Sequence, residues 1–197
     1  MSQLALDVGT FPDGSRKEEL SQHFTPASLA ERIVAFAGIE EGERVLEPSA
    51  GSGAFVGPLL KAGAQVTAIE IDGRYVDHLS TTHPAAHVIE ADFLAVTPFH
   101  VDLVLMNPPY ENGLDGAFIA HALKFAPRVI ALIRTHALHG RERYGSLWRH
   151  TAITRLALCV NRPSFGGGSP MHEFCVVEVK HALPTHRLNS PIRWWEI

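Results

Sequence analysis

The chain has 197 residues, 46% of them hydrophobic and 19% charged, and carries a net charge of −4. That balance suits one globular domain with a full core and excludes an indiscriminate, strongly basic nucleic-acid binder. Charge is uneven, however: residues 121–197 hold eleven Lys/Arg against four Glu and stand at +7, whereas residues 1–120 stand at −11. The asymmetry is a mild pointer to a polyanionic partner on one face.

In chain order, TPASLAERIVAFAGI (25–39) reads as a helix with Thr25 at its N-cap and Pro26 at its first position. RVLEP (44–48), QVTAIEI (65–71), AHVIEA (86–91), VDLVLMN (101–107) and RVIALIR (128–134) read as strands, rich in Val and Ile and bounded by turn residues. Between them GAFVGPLLKAG, GRYVDHLSTTH and LDGAFIAHALKFAP have helical spacing. Near-continuous apolar strands separated by helices predict an α/β fold with a doubly wound, mostly parallel sheet. Two later strands, TRLALCV (154–160) and HEFCVVEV (172–179), are joined by NRPSFGGGSPM, which leaves no room for a crossover helix. This final pair is therefore expected to be antiparallel.

No repeat or linker marks a second unit. A single domain over 1–197 is expected, with its core at 22–180, an irregular tail at 181–197 and no separate target-recognition domain. Trp194 and Trp195 in the tail are expected to pack on the domain or on a neighbouring chain. No apolar run is long enough to span a membrane, and the opening MSQLALDVGTFPDG lacks the features of a signal peptide. A cytoplasmic protein without a membrane partner is expected. Cys159 and Cys175 both lie in apolar stretches, which argues against a disulfide framework.

The first strand runs into EPSAGSGAF, a glycine-rich turn of the kind that lets backbone approach a ligand. Gly51, Gly53 and Gly57 are spaced G-x-G-x-x-x-G, one residue off the dinucleotide fingerprint, which weakens a nicotinamide-enzyme reading. Glu47 and Pro48 precede the glycines. A carboxylate there repels a pyrophosphate and favours a positively charged ligand such as a sulfonium or an ammonium. Glu70 ends the second strand, where it can accept hydrogen bonds from ribose hydroxyls. After the third strand, Asp92 can take an exocyclic amine and Phe93 can stack on a purine. All these residues fall at strand carboxyl ends, where doubly wound sheets bind their ligands.

The fourth strand ends in Asn107-Pro108-Pro109-Tyr110. Two prolines remove two backbone donors and fix two φ angles, so the segment forms a stiff hook. A planar amine whose lone pair is delocalised can be held in place by acceptors aimed at its N–H bonds. The Asn107 side-chain oxygen and the Pro108 carbonyl can supply two such acceptors, and Tyr110 offers a flat face for a planar group. Twelve histidines invite a zinc hypothesis, for instance His136 with His139, yet no CxxC or HExxH pattern accompanies them, and no metal is expected.

Together QHFTP (22–26), VLEPSAGSGAF (45–55), AIEID (68–72), ADFL (91–94) and NPPY (107–110) resemble the ordered motifs of S-adenosylmethionine-dependent amino-methyltransferases, most closely the adenine-specific (N6) DNA enzymes. The resemblance covers roughly residues 22–180 and implies a Rossmann-like class I methyltransferase fold. It implies that His23, Phe24 and Thr25 close over the methionine end of the cofactor. Glu47, Pro48, Ala50, Gly51, Gly53 and Ile71 would line it, Glu70 would bind ribose, and Asp92 and Phe93 would hold adenine. In related enzymes a loop comparable to NRPSFGGGSPMHEF carries an aromatic residue that contacts the target base. Phe165 is the candidate here, with Arg162 and the GRERYGSLWRH arginines Arg141, Arg143 and Arg149 placed to meet phosphates.

The expected activity is thus methylation of adenine N6 in DNA. NPPY also occurs with RNA bases and protein glutamine as substrates, and a cofactor-binding subunit of a larger complex is a non-enzymatic alternative. Either the loops recognise a short site, or a separate subunit supplies recognition, or the substrate is structured RNA; a homo-oligomer is the other candidate partner.

Overall fold

The computed structural model describes residues 25–160, 163, 172–182 and 192. Helix α1 (Ala27–Ala37) leads into β1 (Arg44–Glu47), α2 (Val56–Lys61), β2 (Gln65–Glu70), α3 (Gly73–Thr82) and β3 (His87–Glu90). Next come β4 (Leu103–Met106), α4 (Leu114–Ala122) and β5 (Val129–Arg134), then a short helix α5 (Arg141–Arg143) that widens into a π-helical turn over Tyr144–Trp148. Strands β6 (Thr151–Leu158) and β7 (Phe174–His181) complete a seven-stranded sheet of order β3-β2-β1-β4-β5-β7-β6. Strands β1 to β5 are parallel, and β7 runs antiparallel to both β5 and β6. The antiparallel end pair and the Rossmann-like sheet agree with the sequence reading.

The apolar runs follow from burial on both faces. All four residues of β4 are buried, as are Val129 to Ile133 of β5. Alternate side chains serve two cores. Leu103, Leu105, Ile130 and Leu132 pack with Ile33 of α1, Leu59 of α2 and Leu79 of α3. Val104, Met106, Ala131 and Ile133 face Phe118 and Ile119 of α4 and Trp148 of the π-helical turn.

Several boundaries differ from expectation, and tertiary contacts account for two of them. Helix α1 starts at Ala27, with Pro26 extended at ψ 139° in the capping position and no side-chain cap. The Thr25 hydroxyl instead accepts from Asn107 Nδ2 at 3.0 Å, so a tertiary contact replaces the predicted N-cap. Strand β6 begins at Thr151, because Thr151 to Ile153 are buried and pair with His181, Lys180 and Val179. The far end of α1 is tied to β5 by Arg128, whose Nη1 donates to Ala37 O at 2.9 Å while Nη2 meets Glu43 at 2.9 Å.

Trp148 is 2% exposed, and its Nε1 donates to Ala137 O at 2.9 Å. In urea unfolding, Trp148→Ala is expected to cost about 3–5 kcal/mol through the cavity it leaves. Trp148→Phe keeps most of the packing and is expected to lose less, since the deleted hydrogen bond is worth about 1 kcal/mol beside the smaller volume change.

Candidate active site

The sheet reverses its direction of winding between β1 and β4, and the loops leaving these strands part to form a crevice at the carboxyl edge. A cleft of about 330 Å³ occupies it. The turn after β1 supplies Glu47, Pro48, Ser49, Ala50 and Gly51, and the end of β2 supplies Glu70 and Ile71. Asp92 and Phe93 follow β3, while Asn107, Pro108 and Pro109 follow β4, with Thr25 closing one side.

Glu70 organises the turn. Its Oε2 accepts from Gly51 N at 2.6 Å, and its Oε1 accepts from Ile71 N at 2.9 Å and Asp72 N at 3.0 Å. The side chain thus pins the β1 turn to the end of β2 before any ligand arrives. Burial raises its carboxyl above the ordinary value against the opposing pull of these backbone donors. Glu47, 2% exposed, is pushed well above the ordinary range, first by burial and then by the neighbouring Glu70 charge. Its Oε2 is buried on the cleft wall with no hydrogen-bond partner. An orphaned acceptor of this kind suits a cationic or N–H-bearing ligand.

Gly51 has φ 51°, in the left-handed region. Gly53, expected to line the cofactor, stands outside the cleft lining. At φ +84°, a Cβ there would fall 2.7 Å from Leu79 Cδ2 and 3.1 Å from the His83 ring. Its missing side chain serves the packing of the turn on α3. Phe93 is also more of a core residue than expected. It is 2% exposed and packs with Phe118, Phe125 and His121 at 5.2, 5.2 and 4.9 Å, so the cleft meets only part of a ring held in an aromatic cluster. Ile71, by contrast, is 56% exposed on the cleft wall. Asp92 is exposed there too, its Oδ1 accepting from Leu94 N at 3.0 Å.

The hook is internally bonded. Ser49 Oγ donates to Asn107 O at 3.2 Å, and the Asn107 amide nitrogen donates to Thr25. The Tyr110 hydroxyl donates to Asn107 Oδ1 and to Leu132 O, the latter at 3.3 Å. The expected open face on Tyr110 is corrected by this geometry. The ring is 7% exposed, stands 5.5 Å from Phe174, and is covered by the Arg134 guanidinium at 4.8 Å. Burial holds its phenol well above the ordinary range, so the hydroxyl stays protonated.

Of the candidate phosphate contacts, Arg143 turns inward and meets Asp115 at 2.8 Å, while Arg141 and Arg149 are exposed. His23, Phe24, Arg162, Phe165, Trp194 and Trp195 lie outside the described residues. Sequence reasoning missed Ser49, Ala54, Phe55, Ala91, Leu94, Leu114 and Phe118 on the cleft wall. The first ones adjoin motif residues, and Leu114 and Phe118 share one face of α4 at i, i+4 spacing, a signal that becomes readable only once the sheet places that helix over the cleft. Among the described residues, no helix is long and apolar enough to cross a membrane.

Comparison with known proteins gives this cleft a family. The model for ribosomal RNA adenine dimethylase matches residues 14–128. A small-subunit ribosomal RNA methyltransferase A from Leifsonia xyli is 40% identical over 135 residues, 63% of this chain and 46% of the relative. One from Thermosynechococcus vestitus is 31% identical over 201 residues, 91% of this chain and 75% of the relative. The type II methyltransferase M.HincII of Haemophilus influenzae is 31% identical over 100 residues, 50% of this chain and 18% of that protein. The chain spans about half the length of the first curated relatives it matches, 46% and 47%. Among solved structures, a dimethyladenosine transferase from Plasmodium falciparum superposes with a TM-score of 0.63 at 19% identity, covering 85% of this chain and 66% of that one, and supports the fold. The cofactor of these methyltransferases is S-adenosylmethionine, and the unpartnered Glu47 carboxylate oxygen beside a glycine turn fits its cationic group. By sequence match along more than half its length, the chain belongs to the ribosomal RNA adenine dimethylase family.

Proposed function

We propose that the protein methylates the exocyclic N6 amine of adenine in RNA. The observation that carries this reading is that Asn107 lines the same cleft as the buried carboxylates Glu47 and Glu70, in a chain of this family. S-adenosylmethionine supplies an electrophilic methyl group on a sulfonium. Glu47 would take the cationic end of the cofactor, Glu70 its ribose hydroxyls, and Ile71 and Asp92 the adenine, with the Phe93 edge beneath. Asn107 Oδ1 would accept from the target amine, hold its lone pair in line and draw the nitrogen out of conjugation. The prolines keep the adjacent carbonyl in place, so little reorganisation accompanies the developing charge.

The motif order alone put adenine in DNA first. The family match and the two ribosomal RNA methyltransferase relatives favour RNA over it. A DNA reading retains one specific support, the similarity to M.HincII. For duplex DNA the adenine would have to be flipped from the stack to reach Asn107.

Labelled methyl transfer to a mixed lysate, followed by separate nuclease and protease digestion, separates the readings. Release by RNase is expected. Release by DNase alone would move the substrate to DNA, and release by protease would overturn the adenine reading. Asn107→Ala is expected to lower kcat by about 100-fold or more while cofactor affinity stays within about threefold. A parallel loss of cofactor binding would remove Asn107 from the transfer step.

Glu47→Gln is expected to weaken S-adenosylmethionine binding by about tenfold or more, measured by calorimetry, because a charge-assisted contact becomes neutral. The wild-type carboxyl is raised well above its ordinary value, whereas the bound cation favours the ionised form. Binding should therefore release a proton, and wild-type affinity should fall as pH is lowered from about 8 to about 5. Glu47→Gln should flatten that trend. Without cofactor, a folded pKa above the unfolded one means the folded state binds more protons, so this carboxyl lowers stability as pH rises. The ligand-free Glu47→Gln protein is accordingly expected to melt higher than wild type near pH 8.

A further inference from the structure

The hook as it stands is closed on itself. Asn107 Oδ1, the acceptor that the proposed reaction turns toward the target amine, accepts from the Tyr110 hydroxyl. The same tyrosine keeps its ring out of the cleft, against Phe174 at 5.5 Å and beneath Arg134 at 4.8 Å. A single side chain therefore occupies one lone pair of the proposed acceptor and withholds the stacking surface.

The surroundings are built for a second position. Asn112, with φ 52°, is the one non-glycine residue of positive φ among the described residues, and Gly113 follows at φ 78°. Two consecutive left-handed residues form a sharp hinge immediately after Tyr110-Glu111. A Cβ added at Gly113 would meet nothing within 4 Å, so the hinge borders open space. On the other side, Arg134 restrains both parts of the moving segment. Its guanidinium covers the Tyr110 ring, and its Nη2 lies 3.8 Å from Glu111 Oε1. Its Nε is buried without a hydrogen-bond partner, so the closed arrangement does not satisfy the guanidinium fully.

We propose that Tyr110 and Arg134 form a two-position latch, closed in this structure, which an incoming base opens by displacing the Tyr110 hydroxyl from Asn107. The displacement does two things at once: it delivers Asn107 Oδ1 to the target amine and frees the Tyr110 ring to lie against the base. Arg134 is a positioning residue that sets the balance between the two positions without touching the base. This inference rests on the reading of Asn107 as the acceptor for an adenine amine.

Incorporation of 3-fluorotyrosine provides a direct test by ¹⁹F NMR. The chain has three tyrosines, Tyr75, Tyr110 and Tyr144, and Tyr110→Phe assigns the resonance of interest. Tyr75, 3% exposed in the core, reports that each variant is folded. Addition of S-adenosylhomocysteine and an RNA hairpin with a single-stranded adenine in its loop is expected to move Tyr110 to a second resonance. Without RNA, Arg134→Gln and Arg134→Lys are each expected to raise the population of that second state about tenfold. Tyr110→Phe should lower KM for the hairpin, because no internal donor then competes for Asn107. One unmoved Tyr110 resonance across the RNA titration and both Arg134 variants would overturn the latch, as would a raised KM for Tyr110→Phe. A second state in the Arg134 variants, in a protein that transfers no methyl group to any adenine, would uphold the latch and sink the adenine reading alone.

Discussion

Two carboxylates buried at the edge of an apolar sheet shape everything above it. Glu70 draws in the backbone donors of Gly51, Ile71 and Asp72, and so joins the turn after β1 to the end of β2. Glu47 lies within its field, buried and with one oxygen unpartnered. Burial disfavours ionisation of both carboxylates, and at Glu47 the Glu70 charge adds to it; a cation arriving in the cleft relieves that cost. The cost to the empty protein and the affinity for a positively charged cofactor are the same electrostatic fact seen from two states.

The same tension recurs across the cleft. In the proposed reaction Asn107 presents an acceptor to the substrate, yet an amide left without partners is unfavourable. Here Thr25 and Tyr110 engage the Asn107 side-chain amide, and Ser49 donates to its main-chain carbonyl. The hook is thus preorganised in position but engaged in bonding. The sheet supplies the rigidity on which this depends, since β4 and β5 are buried on both faces and Leu132 O on β5 helps to seat the Tyr110 hydroxyl.

Motif residues divide by the role the packing gives them. Glu47, Ala50, Gly51, Glu70, Ile71, Asp92 and Asn107 converge on one cleft because each ends a parallel strand or begins the loop after it. Gly53 and Phe93 belong to the same sequence patterns but face the interior more than the ligand. Gly53 makes room for Leu79 and His83, and Phe93 completes an aromatic cluster with α4. A motif read along the chain does not distinguish a residue that touches a ligand from one that lets its neighbour do so.

Local chemistry along the chain was enough to determine the parallel strands, the helices between them, the antiparallel end pair and the carboxylates at the strand ends. Apolar runs bounded by turn residues carry that information without help from distant contacts. Tertiary structure alone decided the side-chain partnerships. Thr25 looked like an N-cap because local propensity favours one, and Asn107, 82 positions away, took its hydroxyl instead. Tyr110 looked exposed beside two prolines, and Arg134 and Phe174, brought alongside by β5 and β7, buried it. Both outcomes turn on hydrogen bonds and ring contacts between segments far apart in sequence, which no periodicity or spacing encodes until the sheet has brought them together.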